Sequence, residues 1–320
     1  IERNCREQIS EECWIWLCPE TKNQLIDAEL IYSRCHMDIG VGGFINFGGL
    51  AVNYCKALEA ELIFVAEALA DAARAETLRY FRTSELVADN KLAAGFDPVT
   101  EADRAAERAM RAVLAKLRPE DAILGEEYGK QAGTSGLTWV LDPIDGTRAY
   151  LSGTPTWGVL IAVDAGQGPV LGVIDQPHIG ERFMGGFGRG WVDGPRARAP
   201  LRTRVARPLS EAILFSTFPE VGTEEERTAF HRLAGQVRLT RYGTDCYAYA
   251  LVAAGQIDLV VEAGLQTYDV QAPIAVIEAA GGVVTDWRGR PAHGGGRVLA
   301  AANAAIHAEA LAILREAPEA

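Results

Sequence analysis

Beyond residue 55 the sequence holds a single cysteine, Cys246. The five others, Cys5, Cys13, Cys18, Cys35 and Cys55, are spaced by 8, 5, 17 and 20 residues and include no Cys-x-x-Cys pair. That spacing argues against a zinc module, and the cysteine-poor main body reads as a protein of a reducing compartment, the cytoplasm. His178, His231, His293 and His307 show no metal-ligand spacing and read as surface or packing residues. No run of about 18 uninterrupted apolar residues occurs, which argues against a membrane span. Positive charge is also short: 31 Lys and Arg stand against 43 Asp and Glu, a formal net charge of −12. A nucleic-acid backbone is therefore a poor partner for this chain, whereas acidic sites attract divalent cations.

What is present suffices for a sizeable core, with 48% of 320 residues hydrophobic. The length suits one large domain or two subdomains. Residues 1–56 differ in texture. They open on Ile1, carry Trp14, Trp16 and the five clustered cysteines, and include Gly40-Val41-Gly42-Gly43-Phe44 and Gly48-Gly49. They lack a charged segment leading into a compact apolar one and so read as a weakly ordered N-terminal extension rather than a secretory signal. From Ala57 onward Leu58, Leu62, Val65, Leu69 and Ala73 recur at helical spacing, which predicts a helix over 57–82.

A second helix is expected over 100–117, and strands at 122–124, 138–141, 157–163, 169–175 and 181–185, with a Gly166–Gly168 hairpin turn. The Pro- and Arg-rich stretch from Gly194 to Pro208 reads as a surface crossover. It divides an N-terminal α+β subdomain, 57–200, from a C-terminal α/β subdomain, 201–320. In the second, strands near 212–216, 237–240, 257–262, 282–286 and 298–301 alternate with helices at 223–235, 244–254, 269–280 and 303–316. Alternation of this kind implies an α/β fold of layered sheets with helices on their faces.

Four acidic constellations carry the chemistry. In Trp139-Val140-Leu141-Asp142-Pro143-Ile144-Asp145-Gly146-Thr147, two carboxylates follow a buried strand end. Pro143 is expected to stop the ladder and Gly146 to permit a turn, so the acids project from a tight loop. Asp97-Pro98-Val99-Thr100-Glu101-Ala102-Asp103 by itself reads as a helix start, with Thr100 as N-cap and Asp103 at N3. Gly125-Glu126-Glu127 by itself reads as a solvated loop after a strand. Tyr268-Asp269, with Glu262 seven residues earlier, reads as a helix cap.

Together the four suit cations that assemble a phosphate and a water. Such sites need several carboxylates converging on hard ions about 3.5–4 Å apart. Glu126, Asp142, Asp145 and Asp269 are enough for the cations, and Asp103 and Thr147 are placed to orient the water. The N–H groups of Gly146 and Thr147, opening a helical turn, can hold phosphate oxygens.

With Glu278-Ala-Ala-Gly-Gly282, these segments resemble the inositol-monophosphatase superfamily of Mg²⁺-dependent, Li⁺-sensitive phosphatases, over residues 57–317. The resemblance implies an α/β/α/β/α sandwich, a homodimer, and two or three Mg²⁺ ions. It implies that Glu126, Asp142 and the Ile144 carbonyl hold one metal, and that Asp142, Asp145 and Asp269 hold a second. Asp103 and Thr147 would activate water, with Glu126 also serving a third ion, and Glu262 would contact the substrate alcohol.

Arg148-Ala149-Tyr150-Leu151-Ser152-Gly153, Pro155-Thr156-Trp157-Gly158, Glu262-Ala-Gly-Leu265 and Thr285-Asp286-Trp287 resemble the histidinol-phosphate phosphatase branch, which serves bacterial histidine biosynthesis. Arg148 and Glu262 are its candidate substrate contacts, while Asp245 is either a helix cap or part of the pocket wall. An inositol 1-phosphatase or broad-specificity sugar or nucleotide phosphatase of the same superfamily stays open, as does a catalytically silent metal-binding protein. One departure from the family pattern is Asp269-Val-Gln271-Ala-Pro273, with Pro273 expected in the first turn of its helix.

Overall fold

The computed structural model describes residues 47–84, 86, 88–90 and 98–318; the expected N-terminal extension lies outside the described residues up to position 46, and so does Asp97. The chain divides into two units, residues 1–68 and 69–320. What is described of the first is the opening of one long helix, α1 (Phe47–Tyr80), which runs on into the second. The helix begins ahead of the expected Ala57 because Gly48 and Gly49, poor helix formers, disguise its first turns.

A two-stranded ribbon, β1 (Ala88–Asn90) and β2 (Pro98–Thr100), leads into α2 (Glu101–Leu117). Thr100 caps α2 as its spacing predicts. Its hydroxyl accepts the Ala102 N–H, while the Asp103 carboxylate at N3 reaches back to the Thr100 N–H at 2.8 Å.

Eight strands then form one sheet: β3 (Ala122–Gly125), β4 (Gly129–Gln131), β5 (Thr138–Asp145), β6 (Gly158–Asp164), β7 (Pro169–Gln176), β8 (Glu181–Gly186), β9 (Arg189–Asp193) and β10 (Arg198–Pro200). Their spatial order is β10-β9-β8-β7-β6-β5-β3-β4. The hairpin at Gly166–Gly168 joins β6 to β7 as expected. β10 falls inside the stretch expected to be a surface crossover. It is three residues long and pairs β9 antiparallel as an edge strand, the position in a sheet where Pro200 is tolerated.

β5 also departs from expectation, since it does not stop before Pro143 but runs on to Asp145. Its parallel partner β3 ends opposite Leu141, and the register with β6 shifts between Asp142 and Asp145. This irregularity takes Pro143, which has no N–H to give, out of the ladder, and pairing resumes at Asp145 and Gly158.

After a short helix α3 (Thr147–Ser152), the remaining elements build a second sheet. They are β11 (Ile213–Ser216), α4 (Glu224–Ala234), β12 (Leu239–Tyr242), α5 (Tyr247–Ala253), β13 (Leu259–Leu265), α6 (Thr267–Ala279), β14 (Val283–Thr285), β15 (Gly296–Ala301) and α7 (Ala304–Leu314). The order is β12-β11-β13-β15-β14, with β11 parallel to both neighbours and β15 antiparallel to β13 and β14.

The period-two alternation of strands decides the layering. Val260, Val298 and Ala300 face a core shared with α5, α6 and, from the eight-stranded sheet, Val140, Leu160, Ile174 and Phe183. Their neighbours Leu259, Val261, Leu299 and Ala301 face the opposite core, built with Phe230 and Leu233 of α4 and Ile306, Ala310 and Leu314 of α7. α5 and α6 therefore lie between the two sheets, α4 and α7 cover the outer face of the second, and α2 packs on β5 of the first. This is a layered α/β sandwich. The middle layer is tight: a Cβ at Gly172 would lie 2.4 Å from the Ala272 carbonyl oxygen, and one at Gly185 2.4 Å from Val276 Cα. Pro273 sits deeper in α6 than expected, beyond the first turn, because the helix begins at Thr267 rather than at Asp269.

Candidate active site

The end of β5, the approach to α5 and the first turn of α6 converge on one point. Asp142 and Asp145 flank the register shift of β5, and Asp269 comes from α6. A carboxylate oxygen from each of the three lies within 4.8 Å of the others. Local bonds fix all three. The Ile144 N–H donates to Asp142 Oδ1 at 3.0 Å, and the Cys246 N–H donates to Asp145 Oδ2 at 2.6 Å. The Gln266 N–H donates to Asp269 Oδ2 at 2.6 Å, which makes Asp269 the N3 member of a capping box rather than the N-cap expected from sequence.

Three like charges this close are unfavourable in a dry environment. Burial pushes the Asp142 carboxyl well above the usual carboxylate range, and the charges of Glu126, Asp145 and Asp269 push it further. Burial likewise raises Asp145, reinforced by Asp245 and Asp269, while the bond from Cys246 pulls the other way. A cluster of hard oxygen donors that resists ionisation until positive charge arrives is the donor chemistry a divalent cation requires. The residues present fit such an ion.

Glu126 follows β3, and its N–H donates to the Leu141 carbonyl at 3.1 Å. Its charge helps to raise the Asp142 carboxyl, although it is not one of the three acids in the tight cluster. The Ile144 carbonyl accepts the Thr147 hydroxyl at 3.2 Å. Gly146 has a left-handed φ of 83°, and a Cβ there would lie 2.7 Å from the Asp245 carboxyl carbon, so no other residue fits without displacement. Asp103 is 1% exposed, and burial raises its carboxyl to about 7 against the two bonds it accepts from Thr100.

A cavity of about 310 Å³ opens beside the acids, lined in part by Asp145, Thr147, Arg148, Asp245, Glu262 and Asp269. Its size suits a small ligand. Asp245 caps no helix. α5 starts after Cys246 without a side-chain cap, and Asp245 stands at φ 45° with its carboxylate accepting the Thr156 hydroxyl at 3.3 Å. Burial raises its pKa, while Thr156 and Arg148 oppose the rise. Glu262, from β13, accepts the Thr217 N–H at 2.7 Å and the Thr217 hydroxyl at 2.9 Å. Burial still holds it at about 7.

The sequence reading missed Thr217, Phe218 and Cys246. Thr217 and Phe218 immediately follow an expected strand, which is the available signal. The Cys246 contribution comes from its backbone N–H and left none. The four histidines, read as surface or packing residues, join no acid cluster found among the described residues: His307 meets the Thr285 hydroxyl at 2.8 Å and His178 stacks edge-on against Phe81. No described helix is long and apolar enough to cross a membrane.

The model of the Inositol monophosphatase family matches residues 58–319. Over 231 residues the chain is 42% identical to the bifunctional phosphatase IMPL2, chloroplastic, of Arabidopsis thaliana, a match that covers 71% of this chain and 64% of that protein. It is 36% identical over 260 residues to a histidinol-phosphatase of Streptomyces coelicolor, covering 79% of this chain and 96% of the relative. Among solved structures, an inositol monophosphatase from Zymomonas mobilis superposes with a TM-score of 0.69 at 39% identity, over 79% of this chain and 97% of the other.

Proposed function

The chain belongs to the inositol monophosphatase family, and from that premise we propose that this phosphoric monoester hydrolase acts on L-histidinol phosphate with Mg²⁺ as its metal. The observation that carries the substrate is the pair of acids Glu262 and Asp245, which line the same cavity as Asp145 and Asp269. An amino alcohol brings a positive charge to such a wall, whereas a polyol brings none. The Streptomyces relative, matched over 96% of its length and named a histidinol-phosphatase, supports the same reading.

Glu126, Asp142, the Ile144 carbonyl, Asp145 and Asp269 are the residues that would hold the metal. When bound, divalent cations polarise the phosphoryl group and make a nearby water acidic enough to attack it. Asp103, whose carboxyl titrates at about 7, accepts the water's proton, and the Thr147 hydroxyl orients that water. The N–H groups of Gly146 and Thr147 hold phosphate oxygens. Glu262, braced by Thr217, and Asp245, braced by Thr156, bind the substrate amine, while Arg148 closes that side of the cavity.

The second reading is an inositol 1-phosphatase, favoured by the 39% identity to the Zymomonas inositol monophosphatase. Side-by-side kcat/KM values for L-histidinol phosphate and myo-inositol 1-phosphate decide between them. We expect a clear preference for the first, and a preference for the inositol ester rejects the proposal.

A further inference from the structure

We infer that Phe218, with the Arg148 guanidinium stacked on it, is the wall of the site that recognises a planar aromatic ring on the released alcohol. This rests on the substrate class proposed above and names the feature that would read its ring. Phe218 directly follows Thr217, whose N–H and hydroxyl hold Glu262. It is 44% exposed, a large apolar ring left at the edge of a cavity whose other lining groups are mostly polar or charged. The Arg148 Cζ stands 5.1 Å from the ring centroid, and both residues line the cavity that holds Asp145, Asp245, Glu262 and Asp269.

The chemistry of this pair is selective. A guanidinium over an aromatic face fixes the orientation of the ring beneath it. Both the phenyl face and the guanidinium plane stack favourably on a third π-system. A cyclohexane polyol or a short aliphatic chain has no such face and gains only ordinary contact. The sequence neighbours Thr217 and Phe218 also fix a spacing, one bracing the carboxylate that would take an amine and the other offering a ring face. A ligand that carries a cationic amine and a heteroaryl ring on one short carbon chain can satisfy both.

Calorimetric titration of the full chain with L-histidinol and with 2-amino-1-butanol, which keeps the amino-alcohol head and lacks the ring, tests this directly. Wild-type protein should bind L-histidinol at least about tenfold more tightly than the ringless analogue. Phe218→Ala should reduce that ratio by about tenfold, and Phe218→Trp should retain it. A wild-type ratio near one overturns the inference, and so does a ratio that Phe218→Ala leaves in place, including the case where both affinities fall together. The titration needs no turnover. A failed preference for histidinol phosphate over inositol phosphate in kinetics would therefore sink the substrate proposal separately from the ring wall.

Discussion

The molecule buries carboxylates in two ways. Asp175 and Asp258, both fully buried, are each held between two arginines. Asp175 meets Arg74 at 2.6 Å and Arg182 at 2.7 Å, and Asp258 meets Arg204 at 3.0 Å and Arg207 at 3.2 Å. At the end of β5 the arrangement is reversed, because Asp142, Asp145 and Asp269 crowd one another and Glu126 and Asp245 add to the crowding. The cost of desolvating the first pair of acids is offset within the protein. In the second group the compensation must come from a proton or a bound cation. On the proposed function, the difference separates acids that hold the fold from acids kept for chemistry, although both kinds look alike in one dimension.

The largest test of this contrast is Asp142→Asn. If Asp142 belongs to the second kind, the substitution should lower kcat by about a thousandfold or more. The thermal midpoint of the cation-free protein should stay in place, since the substitution thins a crowd of mutually repelling carboxyls and adds no charge to it. A variant that keeps its activity would break the assignment. The complementary substitution, Asp175→Asn, leaves Arg74 and Arg182 facing a neutral group. Equilibrium denaturation should show a loss of about 3 kcal/mol, the lower end for a broken buried pair because the Arg74 side chain keeps 29% of its exposure. No measurable loss would place Asp175 outside the structural class.

The two kinds of acid were unequally legible in the sequence. Asp142 and Asp145 stood out because Pro143 and Gly146 punctuate them, and the Thr100–Asp103 box was readable because capping is local. The layered sandwich was readable because strand and helix periods alternate along the chain. What escaped depends on residues far apart. Nothing near Asp145 announces that Cys246, 101 positions later, will donate its N–H. Nothing near Asp175 points to Arg74, also 101 positions away. Asp245 looked like a helix cap because a helix follows it, and only the approach of Gly146 reveals that it forms a wall. The edge strand β10 was hidden by its own Pro and Arg content, which is how edge strands discourage further pairing.

A smaller effect should come from cation binding itself. An ion that binds only the folded state stabilises it by about 2.7 kcal/mol at a hundred times its dissociation constant. Thermal scans with Mg²⁺ should rise accordingly, return to baseline with chelator, and show no such rise in Asp142→Asn. Wild-type scans indifferent to divalent cations would remove the reason given for the crowded acids.

The finest test is the sign of the pH dependence in chelator. Burial raises the Glu262 and Asp103 carboxyls to about 7, from ordinary values of 4.5 and 3.8. Each binds its proton more tightly when folded. Their stabilisation is therefore complete below the ordinary value and is lost as pH rises toward about 7. Asp121 and Asp286 shift the other way. Burial tends to raise both, but hydrogen bonds outweigh it, led by Arg118 at Asp121 and by the Arg290 backbone and side chain at Asp286. Their contribution is present at neutral pH and is lost only as pH falls below the ordinary carboxylate range. Denaturation of cation-free protein at pH 5, 6, 7 and 8 should thus show stability falling with rising pH over this window. Glu262→Gln, which keeps the amide oxygen as an acceptor for Thr217 and carries no charge, should flatten that fall, whereas Asp286→Asn should leave it and alter only the acid limb. A slope that Glu262→Gln does not change would mean that Glu262 is balanced within the fold like Asp286, and its place among the acids reserved for a ligand would be lost.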